Sequence, residues 1–319
     1  MILYPLQFEP ILKERIWGGT KLSTFLNKTI ENETTGESWE ISNVPDNSSC
    51  VVNGIFKGKS LSELIHIAPV ELLGSLTIEK YGEQFPLLFK FIDAREDLSI
   101  QLHPNDELAQ KRHQSFGKTE MWYVMQADES ARLIVGFKEN TNQETYLKCL
   151  ENKKLVTILQ EYPVKQGDVF FLETGTIHAI GAGVVVAEIQ QTSDITYRIY
   201  DWDRVDANGF GRELHTELAL DAINYNKTES KVNYQAVENQ SVDMVKCPFF
   251  TTTILELTTS FIWHKKQEAF TVFMCTEGHF ELLYNEEVFQ YKKGDTLLIP
   301  AIISEVTLKG TATLLEISI

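Results

Sequence analysis

The sequence is poor in cysteine and contains no hydrophobic run approaching the roughly 20 residues that cross a bilayer. Its 319 residues include four cysteines, Cys50, Cys149, Cys247 and Cys275, and none of them has CxxC spacing. This argues against a disulfide framework and against a cysteine-based zinc site. The N-terminus has no basic segment before an apolar stretch, so we expect no secretory signal. We therefore predict a cytoplasmic protein without a membrane partner.

Positive charge is also scarce. The chain has 29 basic against 45 acidic residues, a net charge of −16, and no block of lysine or arginine. Nucleic acids and anionic membrane surfaces are therefore excluded as expected partners. An anionic substrate would have to be bound by a few locally placed cations, because the overall field repels it.

Strand patterns dominate what is present. Residues 84–136 and 164–202 each contain several β-rich runs separated by polar or glycine-containing turns, and 246–319 reads as nearly continuous strand. Apolar residues recur at helical spacing in 60–74, 139–161 and 213–225. Ser60 followed by Glu63 suggests a capping box at the first of these helices. The polar stretch 226–245 is the best candidate for a linker.

Two segments show the same pattern of a basic residue, Gly-Asp, an apolar strand and a small-residue turn. They are VKQGDVFFLETGTIHAI at 164–180 and YKKGDTLLIPAIISEV at 291–306. Such a repeat predicts a mainly β protein with a jelly-roll β-sandwich built twice, plus a few helices. His178 follows the turn in the first copy, and Ser304 and Glu305 occupy that region in the second.

The stretch DLSIQLHPND, residues 97–106, alternates polar and apolar residues. In a strand, Ser99, Gln101 and His103 would share one face, and Ile100 and Leu102 the other. Other polar residues alternate in the same way in nearby segments: Lys118 and Glu120, His178, Glu188 and Gln190, and Arg198. A barrel lined by these side chains would have a polar interior.

Buried polar groups are costly unless they have partners, so this interior requires a reason. Two imidazoles, one carboxylate and one amide oxygen suit zinc and leave coordination positions for water or substrate. With a single charged ligand the site would keep a net charge of about +1, which leaves the metal electrophilic. Each residue alone is more often an ordinary strand or turn residue, so the prediction depends on their joint occurrence.

Several motifs carry a family resemblance. The segments SIQLHP, KTE, GTIHAIGAG and SDITYR resemble type I phosphomannose isomerase, the zinc-dependent mannose-6-phosphate isomerase of the cupin superfamily. RIWGG and GESWEIS are similar to the family's N-terminal motifs, and YRIYDWDR followed by GRELH is similar to its short bacterial branch. The resemblance covers about residues 10–225. It implies a catalytic cupin domain with helical additions at 1–235 and a second cupin without metal ligands at 236–319.

The resemblance also implies roles for individual residues. The ligands of one Zn²⁺ would be Gln101, His103, Glu120 and His178. Arg198 would lie beside the substrate, Lys118 matches the family lysine two residues before the glutamate ligand, and Glu188 is a candidate for proton transfer. Longer family members have His-Lys-Pro-Glu where this chain has Gly117, Lys118, Thr119 and Glu120. The role of that histidine does not transfer.

The implied reaction converts mannose 6-phosphate to fructose 6-phosphate through an enediol. The sequence leaves open which group is the general base. Glu188 could serve if burial raises its pKa, and the rivals are Lys118 and a zinc-bound hydroxide. Arg198 and Lys118 supply cations for a sugar phosphate. Strand alternation would point Lys90 into the same barrel, and Trp17 and Trp39 are expected near the site.

Two other functions remain open at this stage. A cupin dioxygenase would also use His and Glu ligands, with iron and without Gln101. A non-catalytic sugar-sensing cupin would keep the fold and lose the metal, although all four ligand positions here hold the expected residue types. The sequence leaves the oligomeric state open.

Overall fold

β-Strands form most of the regular structure in this computed structural model, which describes residues 3–205 and 208–319. The prediction of a mainly β protein is confirmed. The strands are β1 (Leu6–Gln7), β2 (Ile11–Gly19), β3 (Thr35–Ile41), β4 (Asn43–Val44), β5 (Asn47–Ser48), β6 (Leu87–Ala94), β7 (Ile100–Leu102), β8 (Glu120–Ala127), β9 (Arg132–Phe137), β10 (Leu159–Pro163), β11 (Val169–Leu172), β12 (His178–Ile180), β13 (Val184–Gln191), β14 (Tyr197–Tyr200), β15 (Lys231–Val232), β16 (Ser241–Lys246), β17 (Thr251–Leu257), β18 (Ser260–His264), β19 (Thr271–Tyr284), β20 (Glu287–Lys292), β21 (Thr296–Ile299) and β22 (Glu305–Ser318).

The helices are short. They are α1 (Lys21–Thr24), α2 (Leu61–Ile67), α3 (Pro69–Leu73), α4 (Ser75–Tyr81), α5 (Asp106–His113), α6 (Gln143–Glu151) and α7 (Thr216–Leu220). Single 3₁₀ turns lie at Gly54–Phe56 and Leu155–Ile158. Within the described ranges, no helix is long and apolar enough to cross a membrane.

The first β unit is a sandwich of two antiparallel sheets. One sheet has the order β15-β11-β8-β13-β6-β2-β3, and the other has the order β10-β9-β12-β7-β14. The His178 ring on β12 lies 5.3 Å, centroid to centroid, from the Trp122 ring on β8, so the two sheets face each other closely. Inward-pointing residues of both sheets therefore share one interior.

The second unit is built from one eight-stranded sheet of order β1-β21-β19-β22-β17-β16, with β18 paired to β22 and β20 to β19. Its interior is filled by apolar side chains, among them Trp263, Phe273, Phe280 and Leu314. Among the described residues, the one group of three or more His, Cys, Asp or Glu side chains that could hold a metal lies in the first unit. The two units thus differ in the chemistry of their interiors.

The Gly-Asp repeat forms the same turn in both units. The backbone N–H of Lys165 donates to Asp168 Oδ2 at 3.1 Å, and that of Lys292 donates to Asp295 Oδ2 at 2.8 Å. The intervening glycines have φ of +87° and +91°, a region that L-residues with a Cβ avoid. The shared sequence pattern therefore encodes a shared turn into β11 and β21.

The helical predictions succeed in part. Ser60 and Glu63 form a complete capping box at the start of α2. The predicted helix over 139–161 contains α6 and a 3₁₀ turn, but its last residues belong to strand β10, and 213–225 yields only the five residues of α7. The proposed linker 226–245 contains β15, which pairs with β11, and all but the last residue of β16, which pairs with β17. Strands β10, β15 and β16 depend on their pairing partners, which local periodicity does not show.

The N-terminal segment departs from the predicted division into 1–235 and 236–319. Strand β1 pairs with β21, with Leu6 opposite Leu298, and so belongs to the second sheet. One continuous cluster of buried side chains also joins the units, and Phe85 and Phe270 touch within it at a centroid distance of 4.8 Å. The units therefore share a hydrophobic core.

We expect Phe270→Ala to lower the free energy of unfolding by about 3–5 kcal/mol, because Phe270 is fully buried in the shared core. Urea denaturation followed by both tryptophan fluorescence and circular dichroism measures this. Val288→Ala on β20, where the side chain is 54% exposed, is the control and should stay within about 0.5 kcal/mol of the parent. Two well-separated transitions in the parent protein would contradict a shared core.

Candidate metal centre and active site

Three neighbouring strands of the smaller sheet place polar side chains in a row. His178 on β12 is paired with Gln101 on β7, and Gln101 is paired with Arg198 on β14. Directly paired residues project from the same face of a sheet, with Cβ atoms about 4.5–5.5 Å apart. The serine of SIQLHP connects this row, since Ser99 Oγ accepts from Arg198 Nε at 3.3 Å and donates to Gln101 Oε1 at 3.3 Å.

Glu120, the first residue of β8, reaches this row from the opposite sheet. Its Oε2 lies 3.5 Å from His103 Nε2, and its Oε1 lies 3.4 Å from His178 Nε2. The three side chains present ligand atoms within 4.8 Å of one another, and each residue is 1–2% exposed. The structure thus brings together three of the four predicted ligands. It places Gln101 beside His178 through strand pairing.

The orientation of both imidazoles is fixed by backbone carbonyls. His103 Nδ1 lies 2.8 Å from the carbonyl of Ile195, and His178 Nδ1 lies 2.9 Å from that of Thr176. A carbonyl only accepts, so each Nδ1 carries the proton and each Nε2 turns a lone pair toward Glu120. Burial and the nearby Lys118 ammonium lower the pKa of His103 well below its usual range and that of His178 to about 4. Both rings are neutral at pH 7.

This arrangement fits a metal ion. His178 Nε2 and Glu120 Oε1 are buried and have no hydrogen-bond partner among the described residues. The lone pair of His178 Nε2 and Glu120 Oε1, 3.4 Å apart, face each other without a proton between them and repel each other unless a cation lies there. Burial, only partly offset by the Lys118 ammonium, raises the pKa of Glu120 to about 7, so the ionised carboxylate gains from a further cation. Neutral imidazoles and a carboxylate are the donors that divalent transition metals take.

Lys118 lies directly beside this group. Its Nζ donates to His103 Nε2 at 3.0 Å and to Glu120 Oε2, and it lies 4.0 Å from Glu188 Oε1. Burial alone would lower the pKa of Lys118, but the Glu120 and Glu188 carboxylates outweigh burial and raise it. Lys118 is therefore a buried cation next to the predicted ligands.

The pKa of Glu188 differs from the sequence-based expectation of a raised value. Lys90 Nζ donates to its Oε1 at 2.9 Å, and Trp122 Nε1 donates to its Oε2 at 2.9 Å. Burial alone would raise the pKa of Glu188, but the Lys118 and Lys90 ammonium groups outweigh burial and lower it to about 2. The condition on which Glu188 was a candidate base, a raised pKa, is not met. The prediction that Lys90 points into the barrel is confirmed.

The site lies at the bottom of a cavity of about 430 Å³. Trp17 and Trp39 line it, as expected. Trp39 Nε1 donates to Glu37 Oε2 at 2.7 Å, and the Lys90 ammonium lies 5.3 Å from the centre of the Trp39 ring. These aromatic walls reduce the water around the polar groups at the base.

Sequence reasoning missed four charged residues of this cavity: Arg15, Glu37, Asp194 and Arg212. All four lie in segments that carry the resemblance, RIWGG, GESWEIS, SDITYR and GRELH. Alternation did not single out Glu37 because its neighbours are also polar. Arg212 lies on a loop after β14, where no strand periodicity exists. Only the folded chain brings that loop over the sheet.

The comparisons with known proteins agree with this geometry. Residues 5–132 match the family model of the phosphomannose isomerase type I catalytic domain, and residues 240–319 match that of the mannose-6-phosphate isomerase cupin domain. The second match and the jelly-roll topology agree with the predicted pair of cupin-like domains.

Relatives match along nearly the whole chain. Mannose-6-phosphate isomerase ManA of Bacillus subtilis is 38% identical over 316 residues, 98% of each chain. A mannose-6-phosphate isomerase of Streptococcus mutans is 35% identical and covers 96% of this chain and 95% of its own. The crystal structure of the mannose 6-phosphate isomerase from Bacillus subtilis superposes with a TM-score of 0.88 at 33% identity, covering 99% of this chain and all of that one. This chain therefore belongs to the type I phosphomannose isomerase family.

Proposed function

We propose that this protein interconverts mannose 6-phosphate and fructose 6-phosphate, using one Zn²⁺ held by Gln101, His103, Glu120 and His178. The observation that carries the proposal is the convergence of two imidazole lone pairs and a carboxylate at the base of a polar cavity. Two nitrogen ligands and two oxygen ligands suit zinc. The names of the relatives, all mannose-6-phosphate isomerases, supply the substrate.

The reaction moves a proton between C2 and C1 of the open-chain sugar through an enediol. Bound Zn²⁺ would act as a Lewis acid that stabilises negative charge on the sugar oxygens. The chain must then provide a proton donor close to those carbons. Lys118 is cationic at neutral pH and can donate, whereas Glu188, with a pKa of about 2, is a weak proton acceptor. We assign proton donation to Lys118, and Glu188 serves as the counter-ion that holds the ammonium groups of Lys118 and Lys90 in place.

The surrounding residues hold the Glu188 carboxylate in place beside Lys118. Lys90 and Trp122 each donate to Glu188, which fixes the position of its carboxylate. Trp17 and Trp39 narrow the cavity and exclude water from the enediol. Residues 1–235 therefore carry the catalytic role in our proposal. Residues 236–319 contribute a strand partner for β1 and part of the shared core.

Metal analysis combined with a coupled isomerase assay tests the proposal. We expect chelator-free protein to hold one zinc per chain and to convert mannose 6-phosphate. Dialysis against a chelator should remove both zinc and turnover, and added zinc should restore them. Iron together with oxygen uptake would identify a cupin dioxygenase instead. Stabilisation by mannose 6-phosphate without turnover would identify a sugar sensor.

A further inference from the structure

The chain between α5 and β8 brings Lys118 into the cavity, although residues 116–119 form no regular strand. Lys118 and Thr119 are 4% and 5% exposed, so their backbone groups have little contact with water. Buried backbone N–H groups need hydrogen-bond acceptors, which a strand would receive from its neighbour. The acceptors for this segment must therefore come from other parts of the fold.

Strand β13 supplies only the first of the contacts along this segment. It ends at Gln191, whose backbone N–H donates to the carbonyl of Thr119 at 3.1 Å. Two side chains provide the next acceptors. Gln191 Oε1 accepts from the Thr119 N–H at 2.9 Å, and Asp106 Oδ1 accepts from the Gly117 N–H at 2.7 Å. These side chains take the place of a neighbouring strand.

The two side chains are also bound to each other. Gln191 Nε2 donates to the same Asp106 Oδ1 at 3.0 Å, and Gln191 is 3% exposed. An amide that accepts through Oε1 and donates through Nε2 is fixed in one orientation. We call Asp106, Gln191 and the N–H groups of Gly117 and Thr119 that they hold the 117–119 clip.

The residues that alternate with the clipped positions face the metal centre. Lys118 Nζ donates to His103 Nε2 at 3.0 Å and to Glu120 Oε2. On the other edge of the segment, the Lys118 N–H donates to the carbonyl of Pro104 at 3.3 Å. Hydrogen bonds on both edges prevent the segment from turning about its own axis. Such a turn would move the side chains of Lys118 and Glu120 away from the cavity together.

Helix α5 approaches the segment too closely for any side chain at position 117. A Cβ on Gly117 would lie 2.6 Å from the backbone nitrogen of Asp106 and 2.7 Å from the carbonyl carbon of Asn105. This close approach explains why glycine stands where longer family members have histidine. Thr119 also has an N–H for the clip, whereas the proline that longer members have at this position has none.

We propose that Asp106 and Gln191 are positioning residues that hold Glu120 and Lys118 in place for metal binding and proton donation. The inference rests on the proposed function, which assigns those two roles. Neither positioning residue is among the described residues that line the cavity. Asp106 follows the predicted ligand His103 by three residues, so the clip ties the loop after one ligand to the segment that carries another. Partners that orient metal ligands contribute to metal affinity without touching the metal.

The zinc affinities of Asp106→Ala and Asp106→Asn, measured by competition with a chromophoric chelator, test this proposal. Asparagine keeps an Oδ1 that can accept from Gly117 and Gln191, whereas alanine removes it. We expect Asp106→Ala to weaken zinc binding by about 10- to 100-fold and Asp106→Asn to stay within about 3-fold of the parent. Parent-like affinity in Asp106→Ala, or equal losses in both variants, would overturn the proposal.

Asp221→Ala is the matched control, because it removes a carboxylate from the other end of α5. The Asp221 side chain is 67% exposed and pairs with Arg112 in the last turn of that helix, so zinc affinity should stay at the parent level. A loss as large as that of Asp106→Ala would implicate the whole helix and overturn the clip. Gln191→Met covers the case in which Asp106→Ala fails to fold, and it should weaken zinc binding by about 3- to 30-fold.

Hydrogen exchange in the metal-free protein keeps this test separate from the proposed function, since it needs neither zinc nor turnover. We expect the amides of Gly117 and Thr119 to exchange at least about tenfold faster in Asp106→Ala than in the parent. A parent that does not isomerise mannose 6-phosphate, but whose variant shows faster exchange and weaker zinc binding, refutes the isomerase alone. An active parent whose variant shows neither change refutes the clip alone.

Discussion

His178→Ala should remove both the bound metal and at least about a thousandfold of kcat. The substitution deletes one of the two neutral Nε2 donors, and it leaves the Glu120 carboxylate, whose Oε1 lies 3.4 Å from that nitrogen, with one imidazole only. A ligand set reduced in this way holds zinc weakly, since each donor contributes directly to affinity. Zinc content by mass spectrometry and the coupled isomerase assay give the two readouts.

The matched control removes a histidine from the other unit. His264→Ala on β18 deletes an imidazole with a 67% exposed side chain that pairs with Glu305, so metal content and kcat should both stay at the parent level. If His178→Ala kept one zinc per chain with normal turnover, the metal centre would have to lie elsewhere. If His264→Ala lost zinc, the second unit would contribute a ligand.

Lys118→Met should lower kcat by about 10²- to 10³-fold while zinc stays near one per chain. Lys118 is a neighbour of the predicted ligands, so methionine removes the ammonium next to His103 and Glu120 and keeps both donor side chains. The split between metal content and turnover separates a proton-transfer residue from a ligand. Steady-state kinetics and zinc analysis on the same preparation measure it.

Lys153→Met is the control for that variant, because Lys153 is 72% exposed and pairs only with Asp203 among the described residues. It should match the parent in both zinc and kcat. Loss of zinc together with turnover in Lys118→Met would show that Lys118 supports the ligand set, contrary to the role assigned here. Turnover at the parent level would remove Lys118 from the reaction.

Strand alternation was sufficient to predict one shared face for Gln101, His178 and Arg198, because period-two patterning determines which face a side chain occupies. It could not give the register, which aligns the three residues across β12, β7 and β14. The sequence also could not show which charged groups surround Glu188. The low pKa of Glu188 arises from the ammonium groups of Lys118 and Lys90, and Lys90 lies 98 positions away along the chain and 2.9 Å away in space.

Short strands and helices were the second limit on what could be predicted from the sequence. Strand β1 has two residues, and nothing in its local sequence indicates pairing with β21. Helix α5 contains only two apolar residues, Leu108 and Ala109, and so gives no apolar periodicity, although Asn105 caps it and basic residues fill its last turn. Arg212 lies on a loop, and its Nε donates to Asp201 Oδ2 at 2.7 Å. Such features follow from tertiary contacts and not from local pattern.

X-ray absorption and anomalous diffraction at the zinc edge, on protein purified without chelator, test the metal centre most directly. We predict one ion about 2.0–2.1 Å from Nε2 of both His103 and His178, with oxygen ligands from Glu120 and Gln101 and no sulfur in the coordination shell. An ion located away from these four side chains, or a zinc–sulfur distance near 2.3 Å, would contradict it.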